Sequence, residues 1–224
     1  MLLFDIGANA GGATAVGLAK GYKVVALDAA PRIFQTLVKN YIYNPNVIPL
    51  RYAVSNTNYD TVEFYETTDT DALSTLNIEW LTSDTMPYNG FNYRTIKATT
   101  ITVDKLAEIY GEPDLMKIDV EGAEWNILRG MTKYHGKLAL EWTIQTIEEH
   151  EAQMDYLYSL GYREYAPQYI VEHLEEPTEW FLLQENNKGA FVQWQLGTKD
   201  AWESGGWKMA NIRWSADVGM LWAR

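Results

Sequence analysis

Residues Leu2 to Gly12 read LLFDIGANAGG. Leu2 to Ile6 is a short apolar run closed by glycine, the pattern of a buried strand. Ala10 to Lys20 is rich in alanine, carries Val16 and Leu18, and is stopped by Gly21, which predicts a helix. The glycines between them permit a tight turn and let a ligand approach bare backbone. Backbone N–H groups at the start of the helix would face that ligand.

The same unit recurs outward along the chain. Lys23 to Leu27 (KVVAL) is apolar and β-branched and ends at Asp28, and Pro31 suits the first turn of a helix. Ile33, Leu37 and Tyr41 fall at i+4 spacing, and Val47 to Val54 reads as a third strand. Val103 to Tyr110 is a helix ended by Gly111 and Pro113. Leu115 to Val120 is a strand, Ala123 to Met131 a helix, Lys137 to Trp142 a strand, and Ile147 to Leu160 a helix ended by Gly161. This alternation predicts an α/β fold: a doubly wound, mostly parallel sheet with helices on both faces.

Two stretches break the rhythm. Asn56 to Thr102 holds threonine-rich extended pieces (TVEFYETT, RTIKATTIT) and is expected to add strands or a hairpin beside the pocket. Ala166 to Asp217, with the strand-like run Val218 to Ala223, carries six of the nine tryptophans. No Pro/Gly/Ser linker separates these pieces. The expectation is one domain over residues 1–224, with insertions at about 56–102 and 166–217 on the acceptor side.

Composition narrows the function. The 224 residues are 47% apolar and 21% charged, ordinary for a globular chain, and contain no cysteine. Disulfides, thiolate metal sites and cysteine nucleophiles are therefore excluded. Thirty acidic against eighteen basic residues give a formal net charge of −12. So acidic a surface disfavours nucleic acid and anionic membrane as partners. The N-terminus lacks a signal-peptide pattern and no apolar run is long enough to span a bilayer, so a cytoplasmic protein is expected.

The acids around the glycine loop sharpen its chemistry. A dinucleotide fingerprint places glycine where the pyrophosphate meets the backbone, and here that position is Asn9. Asp5, just before Gly7, would point into the pocket, repel a pyrophosphate and attract an amino group. Asp28 ends the second strand, where a carboxylate accepts the hydroxyls of a ribose. A ligand with a ribose, an amino-acid end and no phosphate is S-adenosylmethionine, whose sulfonium suits an acidic site. The competing readings are that Asp5 and Asp28 are turn and cap residues, or that the loop holds a nicotinamide dinucleotide.

A second signal is LMKIDVEGAEWNILRGM, Leu115 to Met131. A central parallel strand should be almost wholly apolar. Lys117 and Asp119 break that rule on one face, and Asp119, Glu121 and Glu124 crowd the ligand-binding end. For Lys117 the preferred reading is a structural ion pair, with Asp119 or with Glu141 on the neighbouring strand; for Asp119 it is function.

FDIGANAGG, Asp28, YAVSN (Tyr52 to Asn56), DALSTL (Asp71 to Leu76), TTITVDKL (Thr99 to Leu106) and KIDVEGAEWNILRGM together resemble the FkbM-type methyltransferases. The resemblance runs from about Leu2 to Leu160 and implies a class I, Rossmann-like methyltransferase fold: a seven-stranded sheet whose last strand is antiparallel. It implies S-adenosylmethionine as cofactor and O-methylation of a hydroxyl on a sugar, glycan or natural-product-like small molecule. Such enzymes usually carry a segment before the first strand that helps cover the cofactor; here that strand begins at Leu2.

On this reading Asp119 is the first choice as base for the acceptor hydroxyl, Glu121 the second and Glu141 the third. Asp119 is alternatively a ligand of the methionine end. Asn9 and the backbone of Gly7, Ala8 and Gly11 would cradle that end. Asp28 would hold the ribose, Ala29 would lie under the adenine, and Ser55 or Asn56 would meet its edge. No metal is expected: the histidines 135, 150 and 173 are scattered and read as surface or loop residues, and an oxygen-only magnesium site at Asp119 and Glu121 is the minor alternative. Glu148 to Gln153 reads as a solvated helix face. The tryptophans read first as core and second as platforms for sugar rings. The remaining alternatives are a nicotinamide-dependent oxidoreductase, disfavoured by Asp5 and Asn9, and a non-catalytic carbohydrate-binding protein on a degenerate nucleotide fold.

Overall fold

A computed structural model describes residues 1–84, 86, 88–143, 147–168, 174–177, 180–182 and 218–224. The chain opens with β1 (Leu2–Ile6), α1 (Gly12–Ala19), β2 (Lys23–Leu27), α2 (Pro31–Tyr41) and β3 (Val47–Leu50). β4 (Ala53–Val54), β5 (Thr61–Thr67), α3 (Glu79–Thr82) and β6 (Tyr93–Ile101) follow. The alternation then resumes with α4 (Val103–Tyr110), β7 (Leu115–Ile118), α5 (Glu124–Leu128), β8 (Lys137–Thr143), α6 (Ile147–Leu160) and β9 (Glu164–Gln168). β10 (Phe181–Leu182) and β11 (Val218–Ala223) complete the described elements.

The main sheet runs β10-β9-β11-β8-β7-β1-β2-β3. Its pairs from β3 to β8 are parallel, and β11 is antiparallel to both β8 and β9. The seven strands and antiparallel last strand expected from the sequence are thus present, and the two-residue β10 adds an eighth at the edge. Alternate residues of the central strands pack on opposite faces. Phe4, Ile6, Met116 and Ile118 join a core with Leu106, Ile127 and Leu157 of α4, α5 and α6. Leu3, Val24, Ala26 and Leu115 face the other way, against Val16 and Leu37 of α1 and α2. Helices cover both faces, as the alternation requires.

Two local expectations change, and the hairpin expected of the insertion is present. α1 begins at Gly12 rather than Ala10, because Asn9 (φ 49°) and Gly11 (φ 96°) take left-handed backbone that a helix cannot continue. The stretch Val47 to Val54 is two strands. β3 pairs with β2, and β4 leaves for a second sheet, ordered β4-β6-β5. β3 is an edge, and Pro49 within it has no N–H to extend the ladder. The insertion after Asn56 contributes the β5–β6 hairpin of that second sheet.

The histidine expectation is corrected for two residues. His135 and His150 are buried, each 1% exposed. His135 is held between Glu112 Oε2 and Asp104 Oδ1, both 2.7 Å from its ring nitrogens. His150 meets the Trp142 ring edge-on, and burial pushes its pKa down to about 4. The run Glu148 to Gln153 is accordingly not a uniformly solvated face, since Gln153 is also buried. His173 and tryptophans 194, 202, 207 and 214 lie outside the described residues. Trp222 is core on β11, and no described helix is long and apolar enough to cross a membrane.

Candidate active site

The C-terminal ends of β1, β2 and β7 meet at a cavity of about 490 Å3, a size suited to a nucleoside-sized ligand. β1 delivers the glycine loop. Gly7 adopts φ 72°, and a Cβ there would lie 1.7 Å from the carbonyl oxygen of Asp119, so only glycine lets the loop pass the end of β7. The Ala8 N–H donates to the Leu27 carbonyl, which ties the loop to β2. Asn9 donates its backbone N–H to Asp28 Oδ2 at 3.0 Å.

Asp28 also accepts the Ala30 N–H on Oδ1 at 2.9 Å. It is therefore a turn residue, as one of the competing readings held, though not the cap of α2, and it is a member of the cavity wall as well. Burial pushes its pKa up to about 6. Ala29, Ile33, Val54 and Phe64 give the adjoining wall an apolar surface.

β7 supplies the charged edge. The Lys117 ammonium donates to the Gly7 carbonyl at 2.7 Å, lies 3.1 Å from Asp119 Oδ2, and is 3.8 Å from Asp5 Oδ1. Burial alone would lower the pKa of Lys117, but Asp119 and Asp5 outweigh it and hold the ammonium charged. The ion pair anticipated for Lys117 is realised with Asp119. Glu121 lines the cavity in left-handed backbone, φ 59°. Burial, then the charges of Asp119 and Glu124, push its carboxyl well above the usual range. Glu124 accepts the Val120 N–H at 2.9 Å, and burial raises it to about 7.

Of the residues singled out from the sequence, Gly7, Ala8, Asn9, Asp28, Ala29, Asp119 and Glu121 stand on the cavity wall. Asp5 does not. It is fully buried and accepts the Thr14 hydroxyl at 2.6 Å, beneath the glycine loop rather than facing a ligand. Gly11 packs against Tyr41, whose hydroxyl donates to the Gly11 carbonyl at 2.6 Å. Ser55 and Asn56 are also off the wall: their backbone lies under Gly130, where a Cβ would sit 2.5 Å from the Ser55 carbonyl oxygen. Glu141 is set behind the wall, its Oε2 buried with no hydrogen-bond partner among the described residues. It still comes close: Asp119, Glu121 and Glu141 each place one carboxylate oxygen within 4.8 Å of the others.

Part of the cavity lining comes from the insertion, which the sequence placed beside the pocket on the acceptor side without naming a site residue in it. Asp71, Ser74 and Leu76 line the cavity there. The Asn9 amide donates to the Asp71 carbonyl at 2.9 Å, and Arg32 forms an ion pair with the Asp71 carboxylate. The DALSTL block was the available signal, since it lies between two strand-like pieces and is not itself a strand.

The sequence profile of the methyltransferase FkbM domain matches residues 5–164, from the glycine loop to the start of β9. The chain belongs to the FkbM methyltransferase family. This FkbM-family chain is 35% identical over 135 residues to a protein of Haloferax volcanii named hexuronic acid methyltransferase AglP. The match covers 58% of this chain and 50% of AglP, so the chain spans about half the length of that relative. Among solved structures it is similar to precorrin-6y C5,15-methyltransferase from Geobacter metallireducens, at 11% identity and a TM-score of 0.43 over 100% of this chain and 78% of the other. It is also similar to a fibrillarin pre-rRNA processing protein of Methanococcus jannaschii, at 15% identity and a TM-score of 0.42 over 74% and 58%. The FkbM match takes in every residue that lines the cavity and ends before the tryptophan-rich stretch.

Proposed function

We propose that this FkbM-family chain transfers a methyl group from S-adenosylmethionine to a hydroxyl of a sugar or glycan. The observation that carries the reading is the arrangement on one cavity wall of the glycine loop, Asp28, Asp119 and Glu121. The donor set fits the cofactor: a carboxylate at the end of β2 for ribose hydroxyls, an apolar patch for adenine, and acids without a phosphate cradle for a cationic end. The sugar acceptor is supported by the hexuronic acid named for AglP.

Bound there, S-adenosylmethionine would supply a methyl group already activated by its sulfonium. The protein then has two tasks, positioning and proton removal. Asp119 has one oxygen engaged by Lys117 and is tied through that ammonium to Gly7. We assign it to the methionine end as a counter-charge. Burial and the charges of Asp119 and Glu124 raise the proton affinity of the Glu121 carboxyl on the cavity wall, and we assign it the proton of the acceptor hydroxyl. The sequence order, with Asp119 ahead of Glu121 as base, is reversed in this reading.

The test is direct. S-adenosylhomocysteine should bind in the micromolar range, roughly −8 kcal/mol, and far more tightly than NAD. Labelled methyl from S-adenosylmethionine should appear on a sugar hydroxyl in a screen of hexoses, hexuronic acids and their glycosides. Preferential binding of NAD, or label on no hydroxyl in the screen, would reject the reading.

A further inference from the structure

Glu121 is held from behind by the insertion. Trp80, fully buried on α3 at 1% exposure, donates its indole N–H to Glu121 Oε2 at 3.2 Å. Two neighbours fix the backbone around it: the Thr75 hydroxyl donates to the Glu121 carbonyl at 2.7 Å, and the Asn77 amide donates to the Gly122 carbonyl at 3.1 Å. Gly122 has φ 83°, and a Cβ there would lie 2.7 Å from the Trp80 ring, so the loop is shaped to the indole. Leu73, Leu81 and Tyr88 pack around Trp80 in a small core of their own. A left-handed glutamate is sterically disfavoured and persists where its surroundings over-determine it. Here those surroundings are three side-chain donors from one segment, residues 75–80.

We propose that Trp80 is a positioning residue for methyl transfer: its indole N–H, backed by Thr75 and Asn77, fixes the Glu121 carboxylate at the cavity wall in the orientation that receives the acceptor's proton. The inference rests on the assignment of Glu121 as base. One oxygen is committed to the indole, which leaves the other for the acceptor. The donor also favours the anion, so it moderates the upward pull that burial exerts on Glu121. The segment that shapes the base also lines the cavity through Leu76, and Ser74 just before it lines the cavity too. The insertion thereby couples the acceptor-side wall to the geometry of the proton acceptor.

Trp80→Phe keeps an aromatic ring in the small core and removes the donor together with part of the indole's packing volume, a loss that the Glu121→Gln background separates from the loss of the donor. Cofactor affinity and KM for the acceptor should stay within about twofold, while kcat falls roughly 10- to 100-fold, the scale of a misplaced catalytic group. The acid limb of the kcat–pH profile should move to higher pH, because Glu121 loses a donor to its anion. In a Glu121→Gln background the same change should have no further effect on kcat. A normal kcat and an unshifted profile in Trp80→Phe, with Glu121→Gln impaired, would overturn the positioning role alone. A normal kcat in Glu121→Gln would overturn the base assignment and the positioning role together. An equal loss in both backgrounds would make Trp80 a packing residue only. The unaltered protein provides a readout that needs no fold-threatening change: with indole nitrogens labelled, one N–H resonance should titrate with pH and cease to do so in Glu121→Gln. No such resonance would reject the proposal.

Discussion

Lys117 Nζ lies 3.1 Å from Asp119 Oδ2 at the end of β7, and the same ammonium holds the Gly7 carbonyl. One buried cation thus locks the acid after β7 to the glycine loop after β1. Removing it strands Asp119 and the fully buried Asp5 without their cation. Lys117→Met should cost about 3–5 kcal/mol of stability, the usual penalty for breaking a buried pair from one side. Lys117→Met with Asp119→Asn should recover part of that loss. Urea unfolding of the two variants measures both, and additive losses would show that the pair is not coupled.

Asp119 and Glu121 should separate by kinetic constant. Asp119→Asn should weaken cofactor binding first, with turnover largely restored at saturating cofactor. Glu121→Gln should cut kcat about 10²- to 10⁴-fold with cofactor affinity changed by less than about tenfold, 1.4 kcal/mol. A chelator should leave both constants of the unaltered protein unchanged. Loss of turnover on chelation, restored by magnesium, would reassign Asp119, Glu121 and Glu141 to a shared cation.

Cofactor affinity should depend on pH through Asp28. Its carboxyl titrates near about 6 in the folded protein, above the ordinary 3.8, because of burial. In the proposed binding mode the ribose hydroxyls would donate to the anion, so binding would favour the deprotonated form and release a proton below that value. Affinity should rise with pH from about 5 to 7, up to tenfold per unit, and then level off. In Asp28→Asn the slope should vanish. Calorimetry in buffers of different ionisation enthalpy reads the released proton directly.

His150 should make the fold acid-sensitive. Burial depresses its pKa from 6.5 to about 4. The unfolded chain therefore binds the proton first, and the group's contribution is present above pH 6.5 and lost as pH falls towards 4. The difference in unfolding free energy between the protein and His150→Gln should shrink by on the order of 3 kcal/mol across that window. A pH-independent difference would place a solvated imidazole there. Asp104 acts in the same direction at lower pH: burial would raise its carboxyl, but hydrogen bonds from Thr132 and His135 outweigh it and hold the carboxyl below 3.8.

The parts of this molecule that were legible in the sequence are those set by neighbours along the chain. The glycine loop, the acid closing β2 and the charged break in β7 each sit within a few residues of a strand end, and the parallel sheet puts strand ends together. Pairings across the fold left no such trace. Trp80 and Glu121 are 41 positions apart, and the indole sits in a segment with neither strand nor helix periodicity. His135 looked like a loop residue because Glu112 and Asp104, which make its burial tolerable, lie 23 and 31 positions away. Asp5 was placed at the right strand end but credited with the wrong partner: its carboxylate meets Thr14, one turn into the next helix.

The place of β11 has a consequence for the order in which the sheet closes. β11 follows β9 in the chain yet lies between β8 and β9. During synthesis β8 leaves the ribosome with one edge open, and β9 arrives without its proper neighbour. Each must wait with the edge that β11 will fill still open until the stretch that separates Gln168 from Val218 has been made. An interrupted chain would therefore carry two bare strand edges in place of a finished core, the kind of surface that draws in other chains. Arrested synthesis is thus a condition under which this protein should be exposed to aggregation.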